Sequence, residues 1–197
     1  MVSLTENEAR TIEFLIRNFS KDYNLNQLAR ELHLSPGGIF KILKKLEKQN
    51  FLLDRRLGNN IFYKINYDSQ DALDVCKFAL TERKITPYIK VLIRDLDRLR
   101  KKTKMAILFG SVLNKEKEAK DIDILLVFNK KNLKEVENLI NELDKISTKK
   151  IHAIYQTEDD LIENIKKQDN AILDEIKTGV ILWGRETLVE AIKNGQN

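Results

Sequence analysis

The chain has 197 residues, 42% hydrophobic and 33% charged, with a formal net charge of +5. That balance excludes a disordered polyelectrolyte, and no apolar run approaches the roughly 18 residues needed to cross a bilayer. The single cysteine, Cys76, excludes an internal disulfide framework and a multi-cysteine zinc site, and its apolar surroundings read as a buried thiol. The N-terminal residues show no basic stretch followed by an apolar one, so no signal peptide is visible and a cytoplasmic protein without a membrane partner is expected.

Charge is unevenly spread. Residues 1–66 hold 11 Lys+Arg against 7 Asp+Glu, residues 67–103 hold 9 against 6, and residues 104–197 hold 15 against 17. A polyanionic partner is therefore expected for the first half only.

In chain order, Thr5 and Glu8 form a capping box, and Ile12, Leu15, Ile16 and Phe19 give a helical apolar face. A second helix over 24–34 turns Leu28, Ala29 and Leu32 inward. Ser35 caps a third helix that Pro36 opens and that runs to Gln49. Two strand-like runs follow, 51–57 and 61–66, separated by Gly58-Asn59-Asn60, residues that accept positive φ in a tight turn. Helices are expected over 69–82 and 86–102. The second has Leu92, Leu96 and Leu99 at nearly heptad spacing, which suits a dimer seam or packing within its own domain. From Lys104 the pattern alternates: strand 105–109, strand 122–128, helix 132–146, strand 149–155, helices 158–167 and 170–177, strand 180–183, helix 186–193. The expected fold class is α+β. Residues 1–66 are expected to form a domain of three helices plus a hairpin. Residues 67–103 form a helical connector and possible dimer seam, and residues 104–197 an α/β domain with a mixed sheet.

In the third helix Ile39, Ile42, Leu43 and Leu46 recur at i, i+3, i+4, i+7. Lys41, Lys44, Lys45 and Lys48 repeat that spacing two residues later, about 200° around the helix. The apolar stripe needs no explanation beyond a core. Four ammonium groups on the opposite face repel one another, and a phosphate backbone relieves that repulsion by counterion release. A solvated charged face is the plain alternative. The stretch from Leu25 to Lys41, continuing from Leu43 to Leu52, resembles the helix-turn-helix of bacterial and archaeal winged-helix regulators over about residues 5–66. The resemblance implies that the third helix enters the major groove of double-stranded DNA and that the hairpin touches backbone or minor groove. Ser35, Gly37, Gly38, Lys41, Lys44, Lys45 and Lys48 are then the DNA-binding residues of the helix. Arg55, Arg56, Asn59 and Asn60 are those of the wing. Regulators of this kind usually pair about a two-fold axis, so a homodimer is expected.

The second half carries Ile107-Leu108-Phe109-Gly110-Ser111 and, after nine intervening residues, Asp121-Ile122-Asp123. Residues two apart on a strand share a side, so Asp121 and Asp123 present two carboxylates together. Such a pair repels unless a cation lies between, and oxygen ligands favour Mg²⁺ or Mn²⁺. Gly110 permits close backbone approach, and Ser111 with free amides suits a phosphate. A strand end that merely carries two aspartates is the bland reading. This constellation, with the closing Gly179-Val180-Ile181-Leu182-Trp183-Gly184, resembles the minimal nucleotidyltransferases of the DNA polymerase beta superfamily over about residues 104–190.

The resemblance implies a nucleotide-binding loop at Gly110 and Ser111, and catalytic and metal-ligating roles for Asp121 and Asp123. It also implies two cofactors, Mg²⁺ (or Mn²⁺) and a nucleoside triphosphate. Active members carry a third carboxylate on a neighbouring strand. Here that strand has no acid, and His152 holds about the expected place, where it binds a metal, orients a phosphate, or packs. Glu158, Asp159 and Asp160 follow the strand, either as substitutes or as the first turn of a helix. Lys120 stands where the family often has Ser, and the loop over 112–120 lacks the family's arginine-rich pattern. The expected function is a DNA-binding transcriptional regulator whose second domain binds nucleotide or metal without turnover. An active Mg²⁺-dependent nucleotidyltransferase, targeted by its winged helix, is the alternative. A pure dimerisation scaffold is the third reading.

Overall fold

The computed structural model describes residues 4–80 and 85–196. It divides the chain into two compact units, Met1–Glu82 and Arg83–Asn197. The segment read as a connector is thus shared between them rather than standing apart. The part of the expected helix over 81–82 lies outside the described residues.

The first unit is a winged helix. Helices α1 (Glu6–Arg17), α2 (Leu25–Leu32) and α3 (Pro36–Lys48) precede a hairpin of β2 (Leu52–Leu57) and β3 (Asn60–Ile65). Each helix starts where its cap dictates: Thr5 with Glu8, Asn24 with Gln27, and Ser35 with the Gly38 amide. A short strand, β1 (Tyr23–Asn24), pairs with β3 and completes a three-stranded sheet of order β1-β3-β2. Gly58 takes φ +59° at the tight turn. Ile12, Ile16, Leu28, Ile39, Leu43 and Leu46 are fully buried and join the three helices to the sheet. Helix α4 (Gln70–Ala79) packs on α1 and buries Cys76, whose thiol burial pushes up in pKa.

The second unit is a mixed four-stranded sheet with helices on both faces. Its strands are β4 (Met105–Phe109), β5 (Asp121–Val127), β6 (Lys150–Gln156) and β7 (Val180–Trp183), in the order β6-β5-β4-β7. Of the described pairs only β5–β6 is parallel, which requires the crossover helix α7 (Leu133–Ile146). Alternate residues Ala106, Leu108, Ile122, Ile124 and Leu126 face α5 (Pro87–Asp95) and α7. The opposite face receives α8 (Glu158–Lys166), α9 (Asn170–Thr178) and α10 (Arg185–Gln196), which pack on β6 and β4. A short helix, α6 (Val112–Lys115), follows Gly110-Ser111.

The helix expected over 86–102 ends at Asp95, and a 3-10 turn, Asp97–Lys101, continues it. Leu92, Leu96 and Leu99 are buried in their own domain core, Leu96 at 2% exposure. Packing within their own domain accounts for their near-heptad spacing. Among the described residues, no helix is long and apolar enough to cross a membrane.

Candidate functional site

Two regions gather the residues singled out above. On α3, Lys41, Lys44, Lys45 and Lys48 are all exposed, opposite the buried Ile39, Leu43 and Leu46. Their charges are not equally available. Lys44 Nζ pairs with Glu47 at 2.7 Å, and Lys45 Nζ donates to both oxygens of the buried Glu8 carboxylate. Burial alone would raise the Glu8 pKa, but the hydrogen bonds from Lys45 and Thr5 lower it overall. Lys41 and Lys48 have no acidic partner among the described residues. Ser35 and Gly37 are exposed and Gly38 partly so, at the start of α3.

On the hairpin, Arg55 lies opposite Phe62 and Arg56 opposite Ile61. Adjacent residues alternate faces, so the two arginines point to opposite sides of the wing. Arg56 shares its side with the buried Tyr63, and Arg55 shares its side with the exposed Leu53 and Leu57. Asn59 and Asn60 are exposed at the turn.

The acidic pair lies at the start of β5, on the sheet face that α8, α9 and α10 cover. The β5–β6 register sets His152 directly beside Asp123. Its Nδ1 lies 3.5 Å from Asp121 Oδ2 and 3.6 Å from Asp123 Oδ1, and the imidazole is 49% exposed. His152 is therefore not a packed core residue: its imidazole stands close to both carboxylates. Asp123 and His152 line a cleft of about 520 Å³. Glu158, Asp159 and Asp160 occupy the first turn of α8, which Thr157 caps with Asp160, so they serve the helix start.

Gly110 turns at φ +77° directly against Asp123, and a Cβ at this position would overlap the Asp123 carboxylate. Ser111 is exposed at the start of α6 and makes no side-chain cap bond. The two residues open on a second cavity of about 750 Å³. A larger hollow of about 960 Å³ lies between α5 and α7 and includes none of these residues.

The donor set suits a hard divalent cation: two carboxylates on one strand face, with no Lys or Arg paired to them among the described residues. Among those residues no group of three or more His, Cys, Asp or Glu side chains is disposed to hold a metal ion. Further oxygens, such as those of phosphates, have to complete the shell.

Glu175 on α9 escaped the sequence reading. It is 6% exposed, it lines the cavity beside Gly110 and Ser111, and its Oε2 has no hydrogen-bond partner among the described residues. Burial raises its pKa to about 7, with repulsion from Asp169, Asp123 and Asp174 adding to the rise. The signal was present: Ile172, Glu175, Ile176 and Gly179 form an i, i+3, i+4, i+7 stripe in which only Glu175 is charged.

Residues 93–187 match the family model described as Polymerase beta, Nucleotidyltransferase. No curated protein matches the chain. Similar solved structures include a point mutant of Lactococcus lactis ZitR, at 23% identity and a TM-score of 0.35, covering 51% of this chain and 63% of that one. A zinc-responsive MarR family member, Lactococcus lactis ZitR, matches at 21% identity and a TM-score of 0.33, covering 51% and 76%. Wild-type Lactococcus lactis ZitR in complex with DNA matches at 20% identity and a TM-score of 0.34, covering 51% and 75%. The chain thus spans less than two thirds of the first of these.

Proposed function

We propose that this protein is a DNA-binding transcriptional regulator whose second unit binds a nucleoside triphosphate with Mg²⁺ or Mn²⁺ and does not turn it over. The observation that carries the reading is the placement of His152. The β5–β6 register sets an imidazole, and not a third carboxylate, beside Asp121 and Asp123. The pair retains what binding requires, two hard oxygen donors next to a glycine–serine loop. The neighbouring strand β6 lacks the extra acid that nucleotidyl transfer uses as metal ligand or base.

Asp121 and Asp123 would hold the metal, and the phosphates would complete its shell. The metal would supply neutralisation of phosphate charge. Gly110 gives the phosphates room, Ser111 offers a hydroxyl, and His152 offers a further donor at the same edge. The DNA-binding half of the reading rests on the exposed lysine face of α3 and on the wing. A homodimer would suit an operator with two half-sites, its contact surface lying elsewhere than on Leu92, Leu96 and Leu99.

A working nucleotidyltransferase is the second reading, favoured by the family match over residues 93–187. One experiment separates the two. Each nucleoside triphosphate is added with Mn²⁺ or Mg²⁺, and thermal stability and pyrophosphate are both followed. Stabilisation by one nucleotide without pyrophosphate, lost in Asp121→Asn with Asp123→Asn, supports binding without turnover. Pyrophosphate release lost in the same variant establishes the transferase. Neither effect overturns both.

A further inference from the structure

Glu175 is a buried carboxyl with an oxygen that no described residue satisfies. Buried polar atoms are almost always paired, and an orphan at the edge of a cavity points to a ligand that pairs it. The cavity itself limits the ligand's chemistry. Ile89, Leu113 and Val180 give it apolar walls. Glu175 and Asp174 are its charged lining, and among the described residues no Lys, Arg or His lines it. Asp169 and Asp123 add negative potential near Glu175. Beside Glu175 an anion is repelled, and a neutral apolar molecule leaves Oε2 unpaired.

We propose that this cavity binds a small organic cation, an ammonium or guanidinium group on an apolar body, with the Glu175 carboxylate as its anchor. The charged head donates to Oε2, and the body covers Ile89, Leu113 and Val180. A charge-assisted bond of this kind is strong in a water-poor site. As the cation enters, the proton that Glu175 holds in the free protein leaves to solvent, so charge within the cavity changes little. The cavity shares Gly110 and Ser111 with the proposed nucleotide loop, but its anchor, Glu175, is distinct from the acidic pair.

The test uses the full chain and four probes of one length: n-hexylammonium, n-hexylguanidinium, 1-hexanol and hexanoate. Calorimetric titration is expected to show binding of at least one of the two cations, at least tenfold tighter than hexanol, and none of hexanoate. Glu175→Gln, checked for fold by circular dichroism, is expected to weaken that cation at least tenfold. Asp121→Asn with Asp123→Asn, which removes nearby charge but keeps the anchor, is expected to weaken it less than Glu175→Gln does.

A second readout needs no variant. In protein labelled with carboxyl-¹³C glutamate, a saturating concentration of the binding cation should lower the titration midpoint of the Glu175 resonance by at least one pH unit. The proposal is overturned by silence of both cations, by equal binding to Glu175→Gln, by weakening in the Asp121/Asp123 variant as great as in Glu175→Gln, or by an unmoved midpoint.

Discussion

Lys45 Nζ lies 2.8 and 2.9 Å from the two oxygens of the Glu8 carboxylate, an ion pair that ties α3 to the start of α1 across 37 residues of sequence. Glu8 also accepts from the Thr5 amide, so one carboxylate serves a helix cap and an ion pair. The lysine that looked like a phosphate ligand is also a structural residue. Lys45→Ala is expected to lower unfolding stability by about 1 kcal/mol, the value of a charge-assisted bond discounted for its half-exposed lysine. Urea denaturation with Glu8→Gln as the second arm of a double-mutant cycle measures it.

The same pair has a pH signature. Because the folded Glu8 pKa lies below the ordinary 4.5, its contribution is present above that value. It declines as pH falls below 4.5 and is gone once the lowered folded pKa is passed. The coupling energy of the Glu8–Lys45 cycle should therefore be full at pH 7 and vanish at pH 2. A coupling that persists in acid would show that packing, and not charge, joins the two residues.

DNA binding should depend most on the two lysines without an acidic partner. Lys41→Ala with Lys48→Ala is expected to reduce the slope of log K against log salt by about 2, one unit for each phosphate no longer neutralised. Fluorescence anisotropy between 50 and 300 mM salt (roughly the range in which such slopes are read) gives both affinity and slope. Glu47→Gln, which frees Lys44, should steepen the slope. An unaltered slope in the double variant removes this face of α3 from the interface.

Gly110→Ala places a methyl group on the Asp123 carboxylate at a backbone angle that L residues rarely adopt. A stability loss of about 1–3 kcal/mol is expected from the strained φ and the displaced carboxylate. Binding of Mn²⁺ with nucleotide, followed by electron paramagnetic resonance, should fall at the same time. Ser111→Ala should lower nucleotide affinity while leaving the melting temperature within a degree or so of its original value.

Glu175 imposes the opposite pH dependence to Glu8. Its folded pKa of about 7 exceeds the ordinary 4.5, so its contribution is fully present below pH 4.5. From there to about pH 7 the unfolded chain ionises first and stability falls, by about 3 kcal/mol in all. Above pH 7 the curve flattens. Glu175→Gln should abolish this slope and raise the melting temperature at pH 8. A variant less stable than the parent at pH 8 contradicts the assignment.

Much of the architecture was legible because it rests on local signals. Thr5, Ser35 and Thr86 sit at helix starts, and the period of Ile39, Leu43 and Leu46 gives the buried side of α3. Asp121 and Asp123 were legible as a same-side pair because a strand's period is two. What escaped depends on distance in sequence. Strand β1 has two residues and no period of its own; it exists because β3 offers it partners. The break after Asp95 follows from burying Leu96 and Leu99 against the sheet, which a straight helix need not do. The Lys45–Glu8 pair and the neighbourhood of His152 required the folded register. Glu175 was readable in principle, as the one acid in an apolar stripe, but an acid on a helix next to Asp174 looks like ordinary surface until the cavity is seen.

Trp183 is the sole tryptophan of the chain. Buried under Arg100, it donates its indole N–H to Thr103, joining β7 to the residues just before β4. Every intrinsic emission change excited at the red edge therefore originates in the second unit, and the winged helix is dark at that wavelength. Far-ultraviolet dichroism sees both units. The difference between the two melting curves gives the order in which the halves lose structure, with no label attached.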